Sequence, residues 1–185
     1  MKRADWAVLA MSVLLCFGLG MNSLGARKAG KKMEIKVTST AFKDGEMLPD
    51  KCSFKGGDES PPLAWNNAPD ATKSFALICD DPDAPRGDWV HWVIYFIPPG
   101  VKSLAGHQPK TAALPNGAKQ GTNDFPKLGY DGPAPPSGTH RYFFRVYALN
   151  TELNLRPNVT KAQLLKAMEG HILAQGQIMG KFSKH

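Results

Sequence analysis

Cysteine is scarce in this sequence, and the spacings that bind zinc are missing. Three cysteines occur among the 185 residues, with neither a Cys-x-x-Cys nor a His-x-x-x-His motif. Because these motifs supply the ligands of the common zinc sites, the sequence does not support such a site, and we expect no metal and no cofactor. Cys79 ends an apolar run and is interpreted as a buried thiol. The sequence leaves open whether it forms a disulfide with Cys52.

Clustered positive charge is also lacking, although the formal net charge is +7. Lysines and arginines are scattered along the chain, apart from one local cluster between Arg27 and Lys32. No basic helix interleaved with aromatic residues is present, so nucleic-acid binding is not favoured. We interpret the charge as serving solubility or a loose attraction to an acidic surface.

One apolar run is long, and it lies near the N-terminus. Lys2 and Arg3 precede an uncharged stretch of 14 residues, Trp6–Leu19, and small residues follow it. This layout is typical of a cleavable export signal, and the run is shorter than the roughly 20 residues of a membrane-spanning helix. We therefore predict a signal peptide over residues 1–26, a single domain over residues 27–185 and a periplasmic or secreted protein. An uncleaved membrane anchor is the alternative.

Strand signals dominate the predicted domain. Phe75–Cys79 and Val90–Ile97 are continuous apolar runs of strand length, and Arg141–Leu149 is aromatic and β-branched. Because these runs are apolar on both faces, they indicate strands inside a mainly β fold, a β-sandwich of two sheets. The weaker strand candidates are Glu34–Thr38, Pro62–Trp65 and the alternating segment Ile172–Phe182.

One peripheral helix is well signalled, and a second is left open. Thr160 and Gln163 fit a capping box, and Val159 with Leu164 fits the hydrophobic staple around it. Gly170 is expected to mark the end of this helix.

The long connection before the third strand is rich in proline and glycine. Residues 98–139 contain no strong strand signal, and a connection of this length in a compact domain is usually functional or disordered. Phe125 and Tyr130 favour an ordered, packed loop.

Polar side chains gather where the strongest strand candidates begin and end. If Phe75–Cys79 and Val90–Ile97 pair as antiparallel neighbours, their connection lies at one rim of the sheet. The third strand would begin at the same rim with an inward-facing histidine and tyrosine, whereas Arg141 and Arg145 would face solvent or a carboxylate. A polar cluster at the mouth of an apolar sandwich is the default ligand-site hypothesis. The residues predicted to meet there are Asp81, Asp83, Trp89, His91, His140 and Tyr142.

Each of these residues also has a structural interpretation. Asp81 precedes a proline and suits the start of a turn. His91 lies between Val90 and Trp92 and suits a hydrogen-bonded core histidine.

Four sequence blocks resemble one known family. The blocks DDPDAPRGDWVHW and GYDGPAPPSGTHRYFFRVYAL, with SPPLAW and AMEGHILAQGQIMGKF, closely resemble the phosphatidylethanolamine-binding protein family, in particular its bacterial Raf-kinase-inhibitor-like branch. The resemblance covers about residues 33–183. It implies a two-sheet β-sandwich with a small pocket that accepts phosphate-like groups, including the headgroup phosphate of phosphatidylethanolamine. The residues that match the family's pocket are Asp81, Asp83, Trp89, His91, His140 and Tyr142, with Gly132 in the loop lining the opening.

The resemblance has limits. Kinase inhibition belongs to eukaryotic members and is not carried over to this chain. No long C-terminal helix follows the last strand candidate, so we expect a more open pocket than in relatives that have one.

A phosphate ligand would need donors from imidazoles, a phenol and loop amides. Because carboxylates repel phosphate, we expect Asp81 and Asp83 to position His91 and His140 and to keep them partly protonated. Either aspartate could instead face an ammonium group such as that of ethanolamine. Phosphate binding is then predicted to weaken as pH rises.

The sequence therefore predicts an exported, non-enzymatic binding protein for a phosphate-containing small molecule or a phospholipid headgroup, with a partner protein and a homodimer left open. One alternative is a hydrolase that uses the Asp/His cluster, although no serine or cysteine nucleophile is signalled near it. The other is an inhibitor or effector that contacts a partner through an exposed loop such as 121–137.

Overall fold

A computed structural model describes residues 33–184. The predicted signal peptide over residues 1–26 lies outside the described residues. Among those residues, no helix has the length and apolar character that crossing a membrane requires.

Two β-sheets and one α-helix form the described fold, as the predicted class requires. The larger sheet has six strands in the order β1-β9-β8-β4-β5-β7, and the smaller has three in the order β2-β3-β6. In chain order the strands are β1 (Met33–Glu34), β2 (Lys36–Thr38), β3 (Leu63–Asn66), β4 (Ser74–Asp81), β5 (Trp89–Ile97), β6 (Ser103–Leu104), β7 (Lys119–Gln120), β8 (Thr139–Leu149) and β9 (Ile172–Ser183).

The three strongest strand predictions are confirmed as neighbours in the larger sheet. β4 pairs antiparallel with β5 on one side and with β8 on the other. Every residue of β4 is buried, because both faces of the sheet are covered. The smaller sheet covers one face, and the helix with the segment before it covers the other.

The predicted strand Glu34–Thr38 is divided between the two sheets. β1 pairs with β9 of the larger sheet, whereas β2 pairs with β3 of the smaller one. Ile35 makes the crossing: its backbone N–H donates to Gln175 O at 3.0 Å, and its side chain is buried. The chain approaches β9 most closely at Gly176, where a Cβ would lie 1.7 Å from Ile35 O.

Helix α1 runs from Lys161 to Met168 and begins with the predicted capping box. The Gln163 backbone N–H donates to Thr160 Oγ1 at 3.4 Å, and the Thr160 backbone N–H donates to Gln163 Oε1 at 3.0 Å. Val159 and Leu164 are buried in the same apolar cluster, as the staple predicted. A short 3-10 helix at Asp50–Cys52 lies between β2 and β3.

The proline- and glycine-rich connection is ordered and packed, as its aromatic residues predicted. Tyr130 is buried, and its hydroxyl donates to Cys52 O at 2.9 Å. The two short strands β6 and β7 lie in the region where no strand was predicted. Cys52 and Cys79 are both buried and free, so they do not form the disulfide that the sequence left open.

Candidate functional site

Strand pairing brings the predicted site residues to one rim of the larger sheet. Asp81, at the end of β4, is the register partner of Trp89 at the start of β5. β8 begins beside them, with Phe143 opposite Asp80. A pocket of about 330 Å³ opens at this rim. The predicted site residues that line it are Asp81, Trp89, His91, His140 and Tyr142.

Asp81 and His140 form a buried pair in the pocket wall. His140 Nδ1 lies 2.7 Å from Asp81 Oδ2. Because a carboxylate oxygen accepts, Nδ1 carries the proton, and Nε2 is the ring nitrogen left to a ligand. The other Asp81 oxygen, Oδ1, accepts the Asp83 backbone N–H at 2.8 Å. The prediction that a carboxylate positions His140 is therefore confirmed.

The corresponding prediction for His91 is wrong. Its Nδ1 lies 2.5 Å from the backbone carbonyl oxygen of Asp131, so a carbonyl and not a carboxylate orients the ring. Burial lowers the pKa of His91, because the charged ring would lose its hydration. The rings of Tyr142 and Phe125 pack edge-on against it, with centroids at 5.1 and 5.4 Å. His91 is thus neutral near pH 7, and its Nε2 is an acceptor.

Tyr142 carries a buried hydroxyl that lacks a hydrogen-bond partner of good geometry within residues 33–184. Burial raises the pKa of this phenol, and the nearby Asp81 carboxylate raises it further. The hydroxyl therefore stays protonated and is available as a donor. Its contact with the Asp81 carboxylate is poorly aligned. A buried donor without a well-aligned acceptor costs up to about 1–3 kcal/mol, and a ligand acceptor would recover part of that cost.

Asp83 lies outside the pocket lining and does not position a histidine, contrary to expectation. Its carboxylate accepts from Arg141 Nε at 2.8 Å and from Nη2 at 2.7 Å. These bonds lower the pKa of Asp83. Strand alternation explains the pairing, since Arg141 lies on the outer face of β8 between the inward His140 and Tyr142. Arg145 on the same face pairs with Asp80, so both arginines face carboxylates.

Gly132 also lies outside the lining and packs behind it. Its N–H donates to Asp58 Oδ1 at 2.8 Å, and a Cβ at this position would lie 2.2 Å from Cys52 O. Glycine is therefore needed for a close approach of two backbone segments. The pocket wall itself begins two residues later, at Ala134–Pro136.

Two charged residues of the site were not predicted. Arg86 lines the pocket, is exposed and has no ion-pair partner among the described residues. The sequence did contain a clue to this residue, because Arg86 is the only positively charged residue in the turn DDPDAPRGD.

Asp131 is the second unpredicted residue, and its carboxylate is fully buried behind His91. It accepts from Asn123 Nδ2 at 2.5 Å and from the ammonium groups of Lys110 and Lys127 at 3.0 and 3.5 Å. No sequence pattern predicts this cluster of Asp131 with its three donors, because the path of the loop brings these residues together. It fixes the carbonyl that orients His91.

The pocket supplies proton donors and acceptors but not the usual nucleophiles. No serine, threonine or cysteine occurs among its described lining residues. Within residues 33–184, no group of three or more His, Cys, Asp or Glu side chains is placed to hold a metal ion.

Comparison with known proteins shows relatives over nearly all of the described chain. The family model described as phosphatidylethanolamine-binding protein matches residues 38–183. A UPF0098 protein of Methanothermobacter thermautotrophicus is 49% identical over 150 residues, which is 81% of this chain and 99% of the relative. A UPF0098 protein of Pyrococcus horikoshii is 41% identical over 188 residues, which is 100% of this chain and 91% of the relative.

Solved structures agree with this similarity. A phosphatidylethanolamine-binding protein homologue from Chlamydia trachomatis has a TM-score of 0.75 at 41% identity, covering 82% of this chain and 99% of its own. YbcL from E. coli, described as a new member of the mammalian family, has a TM-score of 0.77 at 36% identity, with the same coverage of 82% and 99%. On the evidence of sequence and fold together, this chain belongs to the phosphatidylethanolamine-binding protein family.

Proposed function

We propose that this protein is an exported, non-enzymatic binding protein whose pocket accepts a phosphate-type anion, carried by a small molecule or by a phospholipid headgroup. The observation that carries the proposal is the Tyr142 hydroxyl, a buried donor without a good partner among the described residues. It lines the same pocket as His140 and the exposed Arg86. A phosphate oxygen can accept from both Tyr142 and Arg86, and His140 Nε2, whose ring donates through Nδ1 to Asp81, can accept from a P–O–H group.

The neutral His91 adds a preference for a protonated phosphate. Its Nδ1–H donates to Asp131 O, so Nε2 of the neutral ring carries no proton and can only accept a hydrogen bond. A phosphate monoanion has a P–O–H group that donates to this nitrogen while its other oxygens accept from Tyr142 and Arg86. The predicted weakening of binding with rising pH now depends on the ligand, which loses its P–O–H proton as the pH rises, and no longer on His91.

Asp81 is better placed to support the histidine than to bind an ammonium group. One of its oxygens accepts from His140 and the other from the Asp83 backbone. With both oxygens engaged, Asp81 has less to offer an ethanolamine ammonium. Phosphate is therefore the proposed point of recognition.

Isothermal titration with inorganic phosphate tests the proposal on the whole chain. Tyr142→Phe removes the donor and is expected to weaken binding about tenfold or more, since bonds to charged groups are worth about 1.5–3 kcal/mol. Tyr147→Phe is the matched control, because Tyr147 is also buried in β8 but belongs to the cluster on the helix side of the sheet. Equal loss in both variants, or none in either, would remove the role given to Tyr142.

The source of the phosphate is a separate question. The family name points to phosphatidylethanolamine, whereas free phosphate monoesters offer the same group. Titration with phosphoethanolamine and flotation with phosphatidylethanolamine vesicles separate the two sources. Turnover of phosphate esters in the same samples would contradict the non-enzymatic assignment.

Export and a partner protein remain part of the proposal. The N-terminal layout of Lys2, Arg3 and the apolar run Trp6–Leu19 supports a signal peptide. Mass analysis of the protein recovered from a cell-envelope fraction is expected to show loss of about 26 residues, as the leader layout predicts. A full-length chain in the membrane fraction would instead support the uncleaved anchor.

A further inference from the structure

A second cavity lies beside the pocket and shares a wall with it. Its volume is about 610 Å³, and the segment Ala134–Pro136 borders both cavities. The remaining walls come from the region of the 3-10 helix, between Asp50 and Gly56, and from the end of β9, between Phe182 and Lys184. We call this second cavity the proline groove.

The shared wall is held at both ends by hydrogen bonds. On one side, the Phe54 N–H donates to Pro133 O at 3.0 Å. On the other side, the Lys184 N–H donates to Gly138 O at 3.0 Å. Proline also fixes the backbone angle φ at Pro135 and Pro136. The spacing between the two cavities is therefore set before a ligand arrives, which lowers the entropic cost of binding across it.

The described lining of the proline groove carries more positive than negative charge. Lys55 and Lys184 line it, both are exposed, and neither has an ion-pair partner among the described residues. The described lining includes one carboxylate, Asp50, whose Oδ1 accepts from Ser53 Oγ at 3.4 Å. By contrast, Lys110 and Lys161 elsewhere each pair with two carboxylates.

We propose that the ligand is an elongated molecule with two anionic ends. Its phosphate occupies the pocket at Tyr142, an uncharged middle crosses the proline wall, and a second phosphate or a carboxylate lies between Lys55 and Lys184. This inference rests on the proposed phosphate pocket and adds the ligand's length and second charge. The ammonium groups of Lys55 and Lys184 can form charge-assisted hydrogen bonds with an anion. The apolar rings of Pro135 and Pro136 can pack against an apolar spacer.

Titration calorimetry at constant ionic strength tests this inference with defined probes. Inorganic phosphate is too short to bridge the two cavities, alkyl monophosphates add the spacer, and α,ω-alkane bisphosphates of the same chain lengths add the second anion. We expect one bisphosphate length to bind at least about tenfold more tightly than its matched monophosphate, because the second contact is intramolecular. A Lys55→Gln/Lys184→Gln double variant is expected to lose this gain and keep its affinity for inorganic phosphate. The corresponding double arginine variant should retain the gain.

Lys166→Gln is the charge control, because Lys166 is exposed on α1 beyond the other face of the larger sheet. It should change none of the three affinities. Bisphosphates that bind no better than monophosphates, or a gain that survives in the double glutamine variant, would overturn this inference and leave the phosphate pocket intact. Failure of inorganic phosphate to bind would overturn both proposals.

Discussion

His140 and Asp81 are joined by a 2.7 Å hydrogen bond, although 59 residues separate them in the chain. Both side chains are buried at the rim where β4 ends and β8 begins. The carboxylate fixes the ring so that Nδ1 carries a proton and Nε2 is left for the pocket. A buried carboxylate in the pocket wall thereby orients the imidazole that we propose for ligand binding.

Asp81→Asn tests this relationship. The variant keeps the size of the side chain but weakens the hydrogen bond that orients His140, so phosphate affinity should fall by about tenfold. Titration calorimetry measures the change. Asp83→Asn is the control, because Asp83 pairs with Arg141 outside the pocket lining, and it should leave the affinity within about twofold. Equal losses would show that the acidic turn acts only through folding.

The buried His91 predicts a particular dependence of stability on pH. Its folded-state pKa is lowered, so the unfolded chain binds more protons than the native chain between that value and about 6.5. The contribution of His91 to stability is therefore full above about pH 6.5 and declines as the pH falls below it. Urea unfolding at several pH values measures this slope. His91→Gln should make the slope shallower, and an unchanged slope in that variant would contradict the neutral ring.

Asp131→Asn should destabilise the fold, because it removes the buried negative charge that faces two ammonium groups and replaces one of two engaged acceptor oxygens with a donor. Asp131 is fully buried, whereas Lys110 and Lys127 are partly exposed and can regain water. We therefore expect a loss of about 1–3 kcal/mol in the free energy of unfolding, together with weaker phosphate binding through a misplaced His91. Asp70→Asn, at an exposed position, should change neither quantity. A stable variant with normal binding would show that the buried cluster is dispensable.

Gly132→Ala tests the close backbone approach behind the pocket. The added methyl group would overlap Cys52 O, so the loop must move, at a cost of about 1–3 kcal/mol in stability. Gly100→Ala is the matched control, because nothing lies within 4 Å of its added Cβ. Thermal unfolding of both variants should separate them clearly. Equal melting temperatures would contradict the packing described for Gly132.

The parts of the fold that the sequence predicted are those governed by local pattern. Continuous apolar runs identified β4, β5 and β8, and a capping box identified α1, because burial and capping leave a signature within a few residues. The division of Glu34–Thr38 between two sheets was missed, since it depends on where a distant strand, β9, lies.

The candidate site was predictable to the extent that connectivity gathers its residues. Asp81, Trp89 and His91 meet because one turn joins two paired strands. The charge of His91 was not predictable, because it depends on burial by Phe125 and Tyr142 and on a carbonyl from Asp131. These contacts come from a loop whose path leaves no periodic signal in the sequence.

The most direct test of the central claim is an NMR titration of the isotopically labelled protein with inorganic phosphate. The phosphate pocket predicts saturable shifts of the His140 and His91 side-chain nitrogens and of the backbone amides at Arg86 and Tyr142, with small changes at α1. It also predicts that Tyr142→Phe weakens this response. Shifts confined to surface lysines, or none at saturating phosphate, would contradict the assignment of this pocket as the anion site.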